Sequence, residues 1–244
     1  MNHLGNLEKI YQIKWQTKIG FFIICFLFIL MGGGVLYGLL WGNIVKRKDD
    51  LLVFFFFYGM GCFFLLMGIW LFYKFFQKSN DNLYLYEKGF VQTYLGKVQT
   101  TKWDEIENIY ENAVAFVSPL IAVLVYEYTV IKYDGEKFVI GSALKDTEQI
   151  GIRLKVEVFA RRMPIIIEKL NHGETVKFGI FSINRHHIFS DKLEPLPLSD
   201  FWKIVITDGT IQIYKKGDFK IWDSAKYASI PNVPILITIL EKFS

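Results

Sequence analysis

Two stretches near the start of the chain, Ile19 to Gly42 and Leu51 to Tyr73, contain no charged residue. Each exceeds the roughly 20 residues that a helix needs to cross a bilayer. Their 24 and 23 residues make about 36 and 34 Å of helix at about 1.5 Å per residue, against a hydrocarbon core of about 30 Å. Both are therefore expected to span, with some tilt, and the chain is expected to be an integral, multi-pass protein of the cell membrane. A secretory signal is the first competing reading, because Lys9, Lys14 and Lys18 precede the first run. It fails because the run is longer than a signal's apolar core and leads into Lys46-Arg47-Lys48 without a small-residue cleavage site. A buried helix pair is the second, but Phe54 to Phe57 and Phe63 to Leu66 make the second run apolar on every face.

Only Asn43 to Asp50 separate the two runs, so they are expected to form an antiparallel hairpin with both chain ends on one side. Charge assigns the side. Lys9, Lys14, Lys18, Lys74 and Lys78 flank the hairpin outside the loop, against Lys46, Arg47 and Lys48 within it. Cations favour the cytoplasm, which places the soluble region there. Trp15, Tyr37, Trp41, Trp70 and Tyr73 lie near the run ends, where amphipathic rings sit at headgroup depth. Within the first run Gly34, Gly38 and Gly42 recur every four residues. This small-residue face fits either packing within the hairpin, opposite Gly61 and Gly68, or a homodimer of the small-xxx-small type.

The charge balance removes one class of partner. Of 28 Lys and Arg and 24 Asp and Glu, eight cations and three acids fall within residues 1–78, which leaves 20 cations and 21 acids for residues 79–244. The soluble part is thus close to neutral, and the basic excess belongs to the membrane anchor rather than to a nucleic-acid surface. Cys25 and Cys62 both lie in the apolar runs, so no disulfide framework is expected.

Beyond a polar linker, Lys78 to Asn82, the pattern becomes strand-like. Leu83 to Tyr86 and Phe90 to Leu95, joined by Glu87-Lys88-Gly89, read as a hairpin rich in aromatic and β-branched residues. Lys97 to Trp103, Ile106 to Tyr110, Val123 to Tyr133 and Lys137 to Ile140 read as further strands, the last two joined at Asp134-Gly135. The apolar run Ala113 to Val125 holds Ser118-Pro119 and is expected to be a loop against apolar surface. Asp146 with Gln149 has the spacing of a capping box. Ile150, Leu154, Val158 and Phe159 give the helix after it an apolar stripe, with a break expected at Met163-Pro164.

The last third repeats the plan. Leu85 to Phe90 followed by Trp103-Asp104-Glu105-Ile106 lays over Ile183 to Ile188 followed by Leu198-Ser199-Asp200-Phe201. Each unit then has an Asp-Gly turn, at residues 134–135 or 208–209, and a terminal helix, the second at Asn232 to Phe243 with Pro234 in its first turn. Trp103, echoed by Leu198, is expected to be an apolar plug where a strand turns back onto its sheet. The order of strands and helix is the outline of a pleckstrin-homology-like unit. The expected fold class is α+β: an N-terminal segment 1–18, a transmembrane helical hairpin 19–78 with spans 19–42 and 51–73, a first unit 79–173, and a shorter second unit 174–244. Each unit is expected to be closed by its C-terminal helix.

The helical hairpin, the Leu85-Tyr86-Glu87-Lys88-Gly89-Phe90 hairpin, the Trp103-Asp104-Glu105-Ile106 step and Ile230-Pro231-Asn232 resemble an uncharacterised family of bacterial membrane proteins with pleckstrin-homology-like or GRAM-like soluble parts. The resemblance covers most of the chain. Its signatures concern turns and packing, so it implies a fold and carries no chemistry.

No serine elbow, phosphate loop, Cys-x-x-Cys or His-Glu-x-x-His occurs. His186 and His187 are neighbours on a strand, which point to opposite faces and do not share an ion; His172 is the next nearest. Asp104, Glu105 and Glu107 read as solvated positions beside Trp103. No catalytic residue, metal ligand or cofactor site is therefore expected, and the function expected is a non-enzymatic interaction or scaffold module with the bilayer and an unidentified protein as partners. The first alternative is recognition of anionic lipid headgroups through Arg153, Lys155, Arg161 and Arg162, although the same four also read as the solvated face of an amphipathic helix; the second is an enzyme of unknown type.

Overall fold

A computed structural model describes residues 2–40, 51–79, 81–94, 96–117, 122–141, 143–217 and 220–242. Its elements run in chain order as follows. A 3₁₀ turn Asn2–Leu4 precedes β1 (Leu7–Gln12), then α1 (Trp15–Leu40), α2 (Leu51–Ser79), β2 (Asn82–Tyr86), β3 (Gly89–Tyr94) and β4 (Lys97–Lys102). A 3₁₀ turn, Trp103–Glu105, leads into β5 (Ile106–Val117), β6 (Ala122–Lys132), β7 (Lys137–Ile140) and α3 (Thr147–Asn171). Next come β8 (Val176–Phe178), β9 (Phe181–Ile183), β10 (His187–Ser190), β11 (Leu196–Pro197), a 3₁₀ turn Leu198–Asp200, β12 (Phe201–Thr207), β13 (Thr210–Lys215) and β14 (Ile221–Lys226). A last 3₁₀ turn, Tyr227–Ser229, precedes α4 (Val233–Glu241). The class is mixed α+β, with four sheets in the orders β1-β2-β3-β4, β5-β6-β7, β11-β10-β9-β8 and β12-β13-β14, none of them closed.

The chain divides into two compact units. One comprises Leu7–Leu85 and Val91–Thr100 and holds the long helices. Phe22, Phe26, Leu30, Phe56 and Leu66 on these helices are exposed, and both helices are long and apolar enough to cross a membrane. The two helices approach through glycine. A Cβ on Gly32 would lie 2.6 Å from the Leu65 nitrogen, and one on Gly68 would lie 2.7 Å from Ile29 Cγ1. Phe28 and Phe64 pack beside this contact with ring centroids 5.8 Å apart. The packing reading is corrected at Gly34: Gly32 takes the close approach and a Cβ on Gly34 would meet nothing within 4 Å, while Gly42 lies outside the described residues with Trp41 and the Lys46-Arg47-Lys48 loop. Gly32 is the residue that α1's own rotation turns onto α2; Gly34, two residues on, points about 200° away at roughly 100° per residue.

The N-terminal segment 1–18 contains a strand, β1, that its sequence does not announce. It is the hydrogen-bonded neighbour of β2, so the two helices are inserted between adjacent strands of one sheet. Both ends of the helical hairpin therefore emerge at the same sheet. The polar linker begins later than its composition suggests, because α2 continues through Ser79; Asn80 is outside the described residues.

The other unit comprises Met1–Asn6, Tyr86–Phe90 and Thr101–Ser244. Residues at its start dock on the Glu87-Lys88 turn: Leu4 is fully buried, its carbonyl accepts the Lys88 N–H at 3.0 Å, and Asn6 Nδ2 donates to Glu87 Oε1 at 3.0 Å. Trp103 is a core residue as expected, 1 % exposed. Its ring packs on Phe90 at 5.4 Å between centroids, and its Nε1 donates to the Glu87 carbonyl at 3.1 Å. Leu198, in the corresponding 3₁₀ turn, is also buried.

Three expectations change. The run Ala113 to Val125 is not a loop: β5 and β6 pair from Ile106↔Lys132 out to Val117↔Ala122, while Ser118-Pro119 lie outside the described residues. Val114, Phe116, Val117, Val123 and Val125 are residue types that favour strand. α3 continues through Pro164, because Pro164 and Ala160, whose carbonyl loses its donor, both face solvent. Asp146 precedes α3 but makes no side-chain cap; its backbone is left-handed, with φ 54°, and its carbonyl rather than its carboxylate accepts the Gln149 N–H at 3.0 Å.

The plan recurs as a sequence of elements. A four-stranded sheet, a 3₁₀ turn with a buried first residue, a three-stranded sheet and a helix appear twice. The second set has the same number of strands as the first in fewer residues. Where the first places the helical hairpin, between β1 and β2, the second has the tight Gly179-Ile180 turn between β8 and β9. Both terminal helices start after a left-handed residue, Asp146 or Asn232 at φ 50°. The core of the second set is built from Phe178, Phe181, Ile183, Ile188, Phe201, Ile211, Ile213, Leu236 and Leu240, with Ile166 and Leu170 of α3.

Candidate functional site

Strand β5 has β6 on one side only, so its other edge must find partners for its backbone groups elsewhere. Asn232 supplies them. Its Oδ1 accepts the Ile109 N–H at 3.0 Å, its own N–H donates to the Ile109 carbonyl at 2.9 Å, and its Nδ2 donates to the Glu107 carbonyl and to Asn108 Oδ1, both at 3.0 Å. A single buried side chain thus substitutes for a strand. The left-handed backbone that Asn tolerates lets it do this while α4 starts with Val233.

Two residues farther along β5, Glu111 collects three donors. Lys155 Nζ of α3 lies 2.9 Å from Oε2, Tyr227 Oη lies 3.0 Å from Oε2, and Tyr128 Oη of β6 lies 3.4 Å from Oε1. Burial first, and the Glu111 charge second, push the hydroxyls of Tyr128 and Tyr227 far above the ordinary tyrosine value, so both remain neutral donors. Tyr128 stands opposite Glu111 in the β5–β6 ladder, and its ring lies close against α3 at Gly151, where a Cβ would fall 1.9 Å from Tyr128 Cζ. Beside the cluster is a cavity of about 20 Å³ bordered by Ile109, Glu111, Lys155, Tyr227 and Asn232, about the room of one water. A carboxylate with an ammonium and two phenols upon it ties β5 to β6, to α3 and to the Tyr227 turn.

The four cations read from the sequence do not gather into one face. Arg153 and Arg161 both pair with Glu157, the former at 3.0 Å. Lys155 turns in to Glu111. Arg162 donates to the Tyr133 hydroxyl and lies 5.1 Å from the centre of that ring.

The sequence model of a family of unknown function, DUF6585, matches residues 1–244. The chain belongs to the DUF6585 family. No curated protein and no solved structure matches it.

In this DUF6585 chain the remaining sequence candidates serve turns. The Asn184 side chain accepts the N–H groups of both His186 and His187, at 2.9 and 2.8 Å, and among the described residues no three His, Cys, Asp or Glu converge as a metal site. Glu105 caps its own 3₁₀ turn by accepting the Lys102 N–H at 3.2 Å and lies 3.8 Å from Lys132. Asp104 is exposed and Glu107 half-buried; neither joins it in a carboxylate group. The sequence reading missed Glu111, Tyr128, Tyr227 and Asn232, whose partners lie 17 to 125 positions away. No local signal set Glu111 apart, because β5 also carries Glu107, Asn108 and Asn112 and β6 carries Glu127.

A second concavity of about 330 Å³ opens beside the C-terminal half of α3, where Arg162, Lys169 and Lys177 face Glu107, Tyr110 and Thr175. None of these three cations is in an ion pair among the described residues.

Proposed function

We propose that this DUF6585 chain is a membrane-anchored, non-enzymatic interaction module. In this reading α1 and α2 cross the bilayer as a hairpin, and the duplicated strand-and-helix plan is a pair of pleckstrin-homology-like units that present open sheet edges to a protein partner. The observation that carries it is the insertion of two long, outwardly apolar helices between the paired strands β1 and β2. Such an insertion tethers a strand-built domain directly to its anchor and leaves the second copy of the plan free of one. The open sheets support peptide addition along a strand edge, in which main-chain hydrogen bonds supply affinity and alternate side chains supply specificity. The five-to-three excess of cations outside the inter-span loop favours a cytoplasmic soluble region.

Photo-crosslinking in native membranes tests this. A photoreactive residue at Ile206 of β12 or Ile221 of β14, both exposed on the outer strands of one sheet, should give a discrete protein adduct. Adducts to lipid alone at both positions would sink the protein-partner reading.

A second reading, recognition of anionic headgroups, is favoured by one observation: Arg162, Lys169 and Lys177 line the 330 Å³ concavity against a single carboxylate, Glu107. It draws on a set that shares only Arg162 with the one read from sequence, where Arg153 and Arg161 share Glu157 and Lys155 pairs with Glu111. Glycerophosphate should then raise the melting temperature of the detergent-solubilised chain, and the rise should vanish in the Lys169→Ala, Lys177→Ala double variant.

A further inference from the structure

β7 pairs with β6 only over Tyr128–Ile131, whereas β5 and β6 stay paired as far as Val117 and Ala122. The outer part of the pair is therefore a two-stranded ribbon that its own sheet does not extend to cover. Residues 113–125 contain no charged side chain. Opposed residues share a face, so Val114 with Val125 and Ala115 with Leu124 belong to the two opposite faces. Val114 is 40 % exposed and Leu124 is 53 % exposed, so apolar surface is open on both sides of the ribbon. Natural proteins blunt exposed edges with charge or with bulges, and an isolated two-stranded ribbon is marginal in water. Neither device is present between Ala113 and Val117: the pairing there is regular.

A protein groove covers one face of a ribbon, while a fluid apolar phase covers both. We propose that the paired stretches Ala113–Val117 of β5 and Ala122–Val125 of β6 dip into the surface of a lipid bilayer as a second, shallow membrane contact of this chain. This rests on the reading of α1 and α2 as spans, which keeps a bilayer tethered to the chain: β2 begins at Asn82, three positions after α2 ends. The ribbon edges carry unpaired backbone groups that hydrocarbon does not tolerate, which limits immersion to the boundary of headgroups and acyl chains, about 5–10 Å deep. From Ala113 to Val117 the strand reaches about 13 Å at about 3.3 Å per residue, which is sufficient. Glu111 and the exposed Glu127 stand at the base of the ribbon and mark where immersion ends.

The test uses the full chain with Cys25→Ala and Cys62→Ala, reconstituted in phosphatidylcholine vesicles and labelled with an environment-sensitive fluorophore at one introduced cysteine. Leu124→Cys and Val114→Cys report the two faces of the ribbon, and Phe63→Cys, exposed on α2, reports the hairpin. Phosphatidylcholine bearing a nitroxide on its acyl chain should quench all three. At positions 114 and 124 a nitroxide near the headgroup should quench more than one near the terminal methyl. Quenching at 63 with none at either 114 or 124 overturns the ribbon contact and leaves the spans standing; quenching on only one ribbon face overturns it too, in favour of a protein cover. Quenching at 114 and 124 but not at 63 keeps the ribbon contact and overturns the spans. No quenching anywhere overturns both.

Discussion

Asn232 and Ile109, 123 positions apart, exchange two hydrogen bonds: the Asn232 Oδ1 accepts the Ile109 N–H at 3.0 Å, and the Asn232 N–H donates to the Ile109 carbonyl at 2.9 Å. The open edge of β5 is thereby joined to the start of α4 by one residue. Replacing Asn232 with Ala leaves a buried N–H without its acceptor, at about 1–3 kcal/mol, and adds about 1–2 kcal/mol for a left-handed alanine. Chemical denaturation of the full chain in detergent should show a loss of both together. Asn232→Gly, which accepts the φ of 50° but lacks the amide, should lose less than Asn232→Ala. Equal losses would discard the backbone part of the argument.

Gly151 offers a test by sign. In an exposed helix interior Gly→Ala stabilises by about 1 kcal/mol. At Gly151 the new methyl would fall 1.9 Å from the Tyr128 ring, and overpacking costs about 1–3 kcal/mol. Gly151→Ala should therefore lower the melting temperature, and Gly151→Ala combined with Tyr128→Leu should recover part of it. A gain in stability for the single variant would mean that the Tyr128 ring does not pack against α3 at Gly151.

Glu111 ties pH to stability. The folded state holds the Tyr128 and Tyr227 hydroxyls above their ordinary value, so the folded chain keeps these protons when the unfolded chain has begun to lose them, near pH 10. Their contribution is complete below about pH 10 and is lost as pH rises through the folded-state values. In Glu111→Gln that charge is gone, leaving burial to raise both groups and Tyr126 and Glu148 to add to it at Tyr128, so phenolate absorbance should appear at lower pH than in the parent chain. Identical titrations would remove Glu111 as a cause.

Topology follows from a strand pair. Because β1 precedes α1, β2 follows α2 and the two are hydrogen-bonded neighbours, reporters fused at either terminus should lie on one side, and the cation bias makes that side the cytoplasm. Two termini on opposite sides would break the β1–β2 pairing itself. Two termini both outside would leave the pairing intact and reverse only the orientation.

Features that depend on neighbours in sequence were legible in the sequence by itself. Long uncharged runs specify apolar helices because every face is apolar, whatever lies beside them. Asp208-Gly209 specify a hairpin because both residues take positive φ, 48° and 67°, which few other pairs tolerate. Trp103 and Leu198 were readable as plugs because each repeats at the same step of a duplicated pattern. Tertiary structure alone decided the rest. Leu7–Gln12 is a strand because β2 lies alongside it, although Leu7 and Ile10 stay exposed and announce no buried face. Gly32, rather than Gly34, meets α2 because rotation of one helix against the other selects the face, and periodicity cannot. Glu111 and Asn232 become ties only when residues more than a hundred positions away are brought to hydrogen-bond distance. Composition records which side chains can be buried; which polar groups meet on burial depends on where the chain returns, and that is a property of the whole fold.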